Sequence, residues 1–593
     1  MKNISHKTEF CVVGGGLAGM SAAIAAARHG VKTVLINDRP MLGGNASSEI
    51  RMWVCGAQGL NKRETGIIEE IQLENNYRNP LSNFSIWDSI LYEKVKFEPN
   101  ITLLLNCTCN DIEMDTDKIK AVKCWQMTSE SWHRVEADLF ADCSGDSILA
   151  PLSGAEFRIG REAREEFGEE IAPLEADLKT MGMSCEINVR EYPGPEPFIA
   201  PSWANSYPSD DDLPNREHDI RANHFWWAEL GGEDDSIHDT EEIRDELLKV
   251  IFGVWDHVKN HGDHGADNLV MEWVGFLPGK RESRRYIGDY VMRQSDVTQE
   301  GRFDDIVGFG GWPMDDHHPA GLNHPGDPTV FHAAPSPFGI PYRSLYSKNI
   351  GNLFFAGRNI SVTHAAMSST RVMATCATVG QAVGVAASIA VRESLSPRGV
   401  YDEKTGELKQ TLMDDDCWIP FNSREIPNLS KSATLKSSND DAEVLRNGID
   451  RPIDGTDNSV TVPVGGWIEY SFDKPERIRE ARIIFDSNLN RGIRQSKDPN
   501  VISETDPAAV TVKEMKCYFP LDQEKLAVPE CMVKSFRIEA AGIDGHWQIV
   551  HKENNNYQRL VTIPLDIETT KIRIVCEETW GAEEVRIFAF EVR

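Results

Sequence analysis

The 593-residue sequence contains no run of about twenty consecutive apolar residues, the length that a membrane-spanning helix needs. No membrane span is therefore expected. Basic residues are also scarce: 62 Lys and Arg stand against 93 Asp and Glu, a net charge of −31. Such a field repels phosphate backbones and anionic lipid surfaces, which argues against a nucleic-acid partner. The twelve cysteines include no Cys-x-x-Cys pair, and Cys107-x-Cys109 has no matching pair downstream. Met1–Lys7 is short and polar, unlike a secretory leader, so reduced thiols and a cytoplasmic location are expected. No internal repeat or low-complexity tract stands out.

Hydrophobic residues make up 40% of the chain, enough for large cores. The length suggests three or four domains at about 150 residues each. The most informative stretch is the first: Glu9-Phe-Cys-Val-Val-Gly-Gly-Gly-Leu-Ala-Gly19, continuing to Gly43-Gly44-Asn45. It reads as a buried strand, a glycine turn, a helix over Ala18–His29 and a second strand over Thr33–Ile36. Gly14, Gly16 and Gly19 fill a G-x-G-x-x-G fingerprint. The first glycine allows a tight turn, the second lets a pyrophosphate approach the backbone, and the third lets helix and sheet pack closely. The helix then directs its free N–H groups and positive dipole end at the pyrophosphate.

Helices are expected at Gly66–Tyr77 and Ser85–Lys96, with a strand at Ile101–Asn106. A hairpin over Val122–Met127 and His133–Phe140 leads into Ala141-Asp-Cys-Ser-Gly-Asp146. This alternation argues a parallel sheet with helices on its faces. From 151 to about 340, Trp, Pro, His and acidic residues become dense, as in His224-Phe-Trp-Trp227 and Gly310-Gly-Trp-Pro313, around a clear helix at Thr240–Lys259. The sheet pattern returns at Gly351-Asn-Leu-Phe-Phe-Ala-Gly357, followed by a loop over Arg358–Ser368 and a long helix from Ser369 to Val391. Residues 396–430, with Pro397, Pro420 and Pro427, read as a polar linker. Beyond 431 the pattern is short alternating strands, including Trp467–Phe472, Ala481–Asp486, Val533–Glu539, Thr570–Cys576 and Val585–Val592. The expected fold is an α/β Rossmann-like domain (1–150 and 341–395), interrupted by a substrate-binding cap (151–340) and followed by a jelly-roll-like β-sandwich (431–593).

Three separated motifs resemble those of the FAD-dependent oxidoreductases with two dinucleotide-binding domains. They are Gly14-Gly15-Gly16-Leu-Ala-Gly19 with Gly43-Gly44, Ala141-Asp-Cys-Ser-Gly-Asp146, and Asn352-Leu-Phe-Phe-Ala-Gly-Arg358 running through Arg371-Val-Met-Ala-Thr-Cys376 to Gly380-Gln381. The resemblance spans residues 8–395 and implies FAD as cofactor. It implies contacts from Gly14, Gly15, Gly16, Ala18, Gly19, Arg39, Gly43, Gly44, Asn45, Ser47 and Ser48, from Ser144, Gly145 and Asp146, and from Gly357, Arg358, Ser369 and Thr370. Backbone near Cys109 would bracket the adenine. Asn37 stands where relatives carry the ribose-binding acid, with Asp38 beside it, and Arg358 stands where many relatives carry Asp. The C-terminal segments Asn447-Gly-Ile-Asp450, Gly466-Trp-Ile-Glu-Tyr-Ser-Phe472-Asp-Lys-Pro475, Gly545-His-Trp-Gln548 and Thr569-Thr-Lys-Ile-Arg573 resemble galactose-binding-like (discoidin-type) sandwiches. That analogy tilts the expected substrate towards a sugar, with the aromatic loops of residues 200–230 suited to stacking on it, although sandwich folds also serve docking or structural roles.

A flavin enzyme needs a stabiliser for developing negative charge and often a base for the substrate proton. The helix beginning near Ser369 is the natural stabiliser, and Ser368 and Ser369 could equally be plain helix caps. His364 is the leading base candidate, ahead of His332 and of the pair His317-His318; each could equally be a loop histidine. Arg281, Arg284, Arg285, Arg343 and Arg371 could clamp substrate oxygens, with Arg284 and Arg343 favoured, although arginines in so acidic a chain mostly form ion pairs. His257, His261 and His264 read as a helix end favoured by the dipole, and no metal is expected. No second G-x-G-x-x-G follows a strand within 151–350, so the electron acceptor is unidentified and a redox-neutral epimerase or isomerase is an alternative to a dehydrogenase. A non-catalytic flavin- or carbohydrate-binding protein is a further alternative, and a homo-oligomer is left open. The reduced-thiol reading predicts that all twelve cysteines react with a thiol reagent in denaturant without reductant; a smaller number would refute it.

Overall fold

The computed structural model describes residues 1–221, 224–439, 441–491, 515, 517–542 and 545–593. It opens with strand β1 (Lys2–Val13), helix α1 (Leu17–Arg28) and strand β2 (Thr33–Ile36). Helices α2 (Ile67–Arg78) and α3 (Phe84–Lys96) follow, then strands β3 (Ile101–Leu104), β4 (Cys107–Asp115), β5 (Lys118–Gln126) and β6 (Ser131–Asp142). They form one sheet in the order β3-β2-β1-β6-β5-β4. The β1, β2, β3 and β6 strands run parallel, whereas β4, β5 and β6 form an antiparallel meander. The strand Leu353–Phe355 joins in parallel beside Phe140–Asp142. The carboxyl ends of β1, β2, β6 and Leu353–Phe355 thus lie along one edge, where ligands of open α/β sheets bind.

Helix α1 is rich in alanine and lies against the helix Met373–Glu393. Gly380 and Gly384 set how closely the two approach. A Cβ on Gly380 would fall 2.1 Å from the Ala18 carbonyl oxygen, and one on Gly384 would fall 2.3 Å from that of Ala22. Helix Met373–Glu393 is long and apolar enough to span a membrane, with a mean hydropathy of 1.6, yet 94% of that window is buried inside the molecule. Its apolar surface is core surface.

The single long helix expected from Ser369 is two helices, His364–Thr370 and Met373–Glu393, broken at Arg371-Val372. The N–H of Ala374 bonds the Cys55 carbonyl at 2.9 Å instead of an intrahelical partner. Residues 397–414, expected to be linker, form the helix Pro397–Asp414, started by Pro397 behind the capping hydroxyl of Ser396. Its buried Val400, Leu408 and Leu412 join the main core.

Residues 151–340 contain short strands around the helix Thr240–Asn260, whose apolar face buries Val250, Ile251, Val254, Trp255 and Val258. The strand Ile187–Glu191 lies between Leu269–Val274 and Tyr518–Phe519, so a late segment of the chain completes this sheet.

The C-terminal region is an antiparallel, all-β sandwich. Its strands Thr434–Ser437, Val460–Pro463, Trp467–Phe485, Val533–Ala541, Trp547–Glu553, Leu560–Thr579 and Glu584–Val592 surround a core that includes Ile468, Tyr470, Phe536, Ile574 and Phe590. The two strands expected at Trp467–Phe472 and Ala481–Asp486 are one strand, Trp467–Phe485. Its ladder with Leu560–Thr579 shifts register between Ser471 and Glu476, across Pro475, which has no N–H to donate.

Buried arginines join the sandwich to the α/β body. Arg451 donates to the carbonyls of Asn61 (3.1 Å) and Arg63 (2.9 Å) and to Thr65 Oγ1 (3.1 Å), while stacking on Trp418. Arg559 pairs with Asp416 at 2.8 Å, and Arg482 donates to the carbonyls of Met413 and Asp414. Arg451→Ala is expected to orphan these acceptors at roughly 1–3 kcal/mol each. The urea midpoint of the full chain should fall markedly; an unchanged midpoint would show that the junction does not depend on this side chain.

Candidate active site

The four strand ends open on a cavity of about 890 Å³, near the upper end of the roughly 300–1,000 Å³ common for small-molecule sites. At one end lie the glycine turn, Asn37, Asp38 and Arg39, and the Cys107–Cys109 backbone. At the other lie Trp53, Glu186, Trp226, Arg281, Trp312, Asp315, His317 and Arg371.

The turn is shaped as a dinucleotide cradle. Gly14 has φ +107°, and a Cβ there would lie 2.4 Å from Cys143 backbone atoms. A Cβ on Gly16 would meet nothing closer than Gly44 Cα at 3.9 Å, so this face is open to an incoming group. Gly15, Ala18, Gly43, Gly44, Asn45, Ser144, Gly145, Gly357 and Arg358 also line the cavity. Gly19 supports it from behind, since a Cβ there would strike the Gly14 carbonyl oxygen. Ser47 is buried off the lining, and the Ser48 N–H donates to Asp88 at 3.1 Å. Ser369 and Thr370 lie off the lining, at the end of His364–Thr370.

The helix start that faces the cavity is therefore that of Met373–Glu393. Val372 and Met373 line the cavity there, and no side chain caps the helix. Its dipole, and its first-turn N–H groups other than that of Ala374, can stabilise negative charge.

Asn37 is turned inward. Its Oδ1 accepts from the Gly15 N–H at 3.0 Å, and its Nδ2 donates to the carbonyls of Arg39 and Met41 at 2.9 Å each. It holds the glycine turn against the end of β2, which leaves Asp38, with a side chain 61% exposed, as the carboxylate available at the strand end. Asp146 pairs with Arg358 at 2.8 Å and Lys280 at 3.0 Å and accepts from Ser283 at 2.8 Å. Burial alone would raise its pKa, but Arg358 and Lys280 outweigh burial and bring it to about 2. The buried Arg358 Nε and Arg39 Nη1 have no hydrogen-bond partner. An open glycine face and two unmatched guanidinium donors fit a diphosphate.

At the far end, carboxylates and cations alternate. Arg281 lies 3.4 Å from Glu229, and Glu229 meets His317 Nδ1 at 2.6 Å. His317 Nε2 lies 3.3 Å from Asp315, which pairs with Arg371 at 3.2 Å. Trp226 stands edge-on to His317, with ring centroids 5.1 Å apart. Glu229 is held below the usual carboxylate range: burial opposes this, and Arg281 and His317 prevail.

The favoured sequence candidates lie elsewhere. His364 is the first residue of a helix rather than a loop residue, and it does not line the cavity. Its Nδ1 meets Glu282 at 2.9 Å and its Nε2 meets Asp316 at 3.1 Å. Burial would lower its pKa, but the two carboxylates push it up to about 10, so it is an imidazolium at neutral pH and no base. His332 sits on the hairpin strand Thr329–His332, off the cavity. Arg343 is committed to Asp305 at 3.0 Å, Arg284 lies over Phe157, and Arg285 is buried against Glu162 and Glu282. Of the arginines considered, Arg281 and Arg371 reach the cavity. Trp53, Glu186, Glu229 and Arg491 were missed by sequence reasoning. Arg491 comes from the sandwich, donates to the Val54 carbonyl at 3.1 Å and lines the cavity wall.

A parallel sheet with this glycine turn and diphosphate cradle defines a dinucleotide-binding protein. Residues 9–412 match the family model of FAD dependent oxidoreductases, and the chain belongs to that family, with FAD as cofactor. Among solved structures, the chain is similar to the family 32 carbohydrate-binding module of Streptococcus pneumoniae EndoD (14% identity over 28% of this chain and 99% of the module, TM-score 0.19). It is also similar to the glycerol-3-phosphate dehydrogenase of Bacillus halodurans complexed with FAD (14% identity, 31% and 40% of the two chains, TM-score 0.19). The rebeccamycin biosynthetic enzyme REBC is a third (13% identity, 32% and 40%, TM-score 0.22).

Because Asp146 has a folded pKa near 2, below that of a free carboxylate, its stabilisation is present above about pH 4 and lost as pH falls through 2. Asp146→Asn should lower the melting temperature at neutral pH, and the gap to wild type should close in strong acid. A gap that persists below pH 2 would rule out this ionic origin.

Proposed function

We propose that the protein is an FAD-dependent dehydrogenase acting on a secondary alcohol of a carbohydrate or glycoside. The observation that carries this reading is the continuity of one cavity from the dinucleotide cradle to the chain Arg281–Glu229–His317–Asp315–Arg371. FAD supplies a hydride acceptor at N5. The protein's residues supply the rest. His317, with Nδ1 on Glu229 at 2.6 Å and Nε2 on Asp315 at 3.3 Å, is the group on the cavity wall that would relay the hydroxyl proton to a carboxylate. Arg281 and Arg371 neutralise the two carboxylates beside it and offer donors to substrate oxygens. Trp53, Trp226 and Trp312 give the cavity aromatic surface beside these charged groups, a combination that suits a polyhydroxylated ring.

His317→Gln should bind FAD with an unchanged spectrum and slow its anaerobic reduction by a sugar substrate by about 10²–10⁴-fold. Reduction at the wild-type rate would remove His317 from the mechanism. Isomerised substrate without any added acceptor would favour the redox-neutral alternative, and flavin that no sugar reduces would overturn the dehydrogenase reading.

A further inference from the structure

Four side chains away from the cavity converge on one point. Asp210 and His218 come from the segment before the Trp226 loop, His257 from the last turn of Thr240–Asn260, and His264 from the loop after that helix. His257 Nε2 lies 3.3 Å from Asp210 Oδ1 and 3.4 Å from His218 Nδ1. His264 Nε2 and His218 Nδ1 lie 3.5 and 3.8 Å from the same carboxylate oxygen, and all four atoms fall within 4.8 Å of one another. Ligands placed 2.0–2.2 Å from a tetrahedral zinc ion are about 3.4 Å apart along each edge. Four of the six edges are therefore already near that length.

The orientation of the rings also fits. His257 is fully buried, and its Nδ1 lies 2.7 Å from the Tyr207 carbonyl. That nitrogen carries the hydrogen, so Nε2 turns a lone pair to the centre, the usual outer-shell arrangement of a metal-bound histidine. His264 Nε2 is shut off from water without a hydrogen bond. Gly262 keeps its approach clear, since a Cβ there would lie 2.6 Å from that nitrogen. Without a cation, imidazole lone pairs aimed at one point repel, and a single carboxylate whose side chain is 70% exposed compensates them poorly.

We propose that Asp210, His218, His257 and His264 form a closed, structural zinc site. Three nitrogens and one oxygen in tetrahedral array suit zinc among the common divalent ions. The sequence pointed to no metal, and of the histidines it grouped, His261 is not a ligand: its Nε2 pairs with Asp256 at 3.2 Å. The ion would fasten the segment carrying Asp210 and His218 to the end of the long helix, and that segment leads directly to Trp226 at the cavity.

The full chain, dialysed against zinc and then against metal-free buffer, should retain about one zinc per chain by elemental analysis. Loading with Co²⁺ should give the intense visible bands of a tetrahedral ion. His264→Ala and Asp210→Asn change partly exposed positions and should fold. The first should abolish the bands, and the second should weaken Co²⁺ binding by about 10-fold or more. Retention of far less than one zinc, or cobalt bands of wild-type strength and affinity in His264→Ala, would overturn the proposal.

Discussion

The structure depends most on guanidinium groups buried between the sandwich and the α/β body. Arg451, Arg482 and Arg559 are each nearly inaccessible, and each donates to backbone carbonyls or carboxylates across the junction. A buried charge left without partners is far costlier than a lost apolar contact, so these groups tolerate one relative placement of the two bodies. In a chain with 62 basic and 93 acidic residues, these three arginines are kept inside, where they specify geometry.

The same logic divides the cavity. At the cradle end, Asp146 balances Arg358 and Lys280 while Arg358 Nε stays unmatched, so the local field favours an arriving anion. At the far end, two arginines, two carboxylates and His317 come close to mutual neutrality. Such a surface can take up or release one proton without leaving an isolated charge in a low-dielectric pocket.

The sequence was most legible where local chemistry dictates structure. The glycine turn, the alanine-rich α1 helix and the strand ending at Phe355 follow from short-range patterns, and most expected helix bounds agree to within about two residues. It was silent where distant segments decide. Nothing in Thr370-Arg371-Val372-Met373 breaks a helix by composition; the break comes from a bond to Cys55, over three hundred residues earlier. The leading histidine was misjudged for the same reason. His364 and His317 are both flanked by plausible loop chemistry, and Glu282 and Glu229, each more than eighty residues away, hold the first off the cavity and the second on its wall. Asn37 occupied the ribose slot in sequence, but the Gly15 amide claims its side chain.

Arg491 has a consequence for how this architecture can have arisen and be re-engineered. A compact terminal domain can be an exchangeable unit joined to its neighbour by a flexible linker. Here the sandwich places a side chain in the cofactor cavity wall and lends Tyr518–Phe519 to a sheet of the middle region. A recombination that replaced the tail would remove Arg491 from the cavity wall and an edge strand from the middle sheet, so the two parts cannot be exchanged independently.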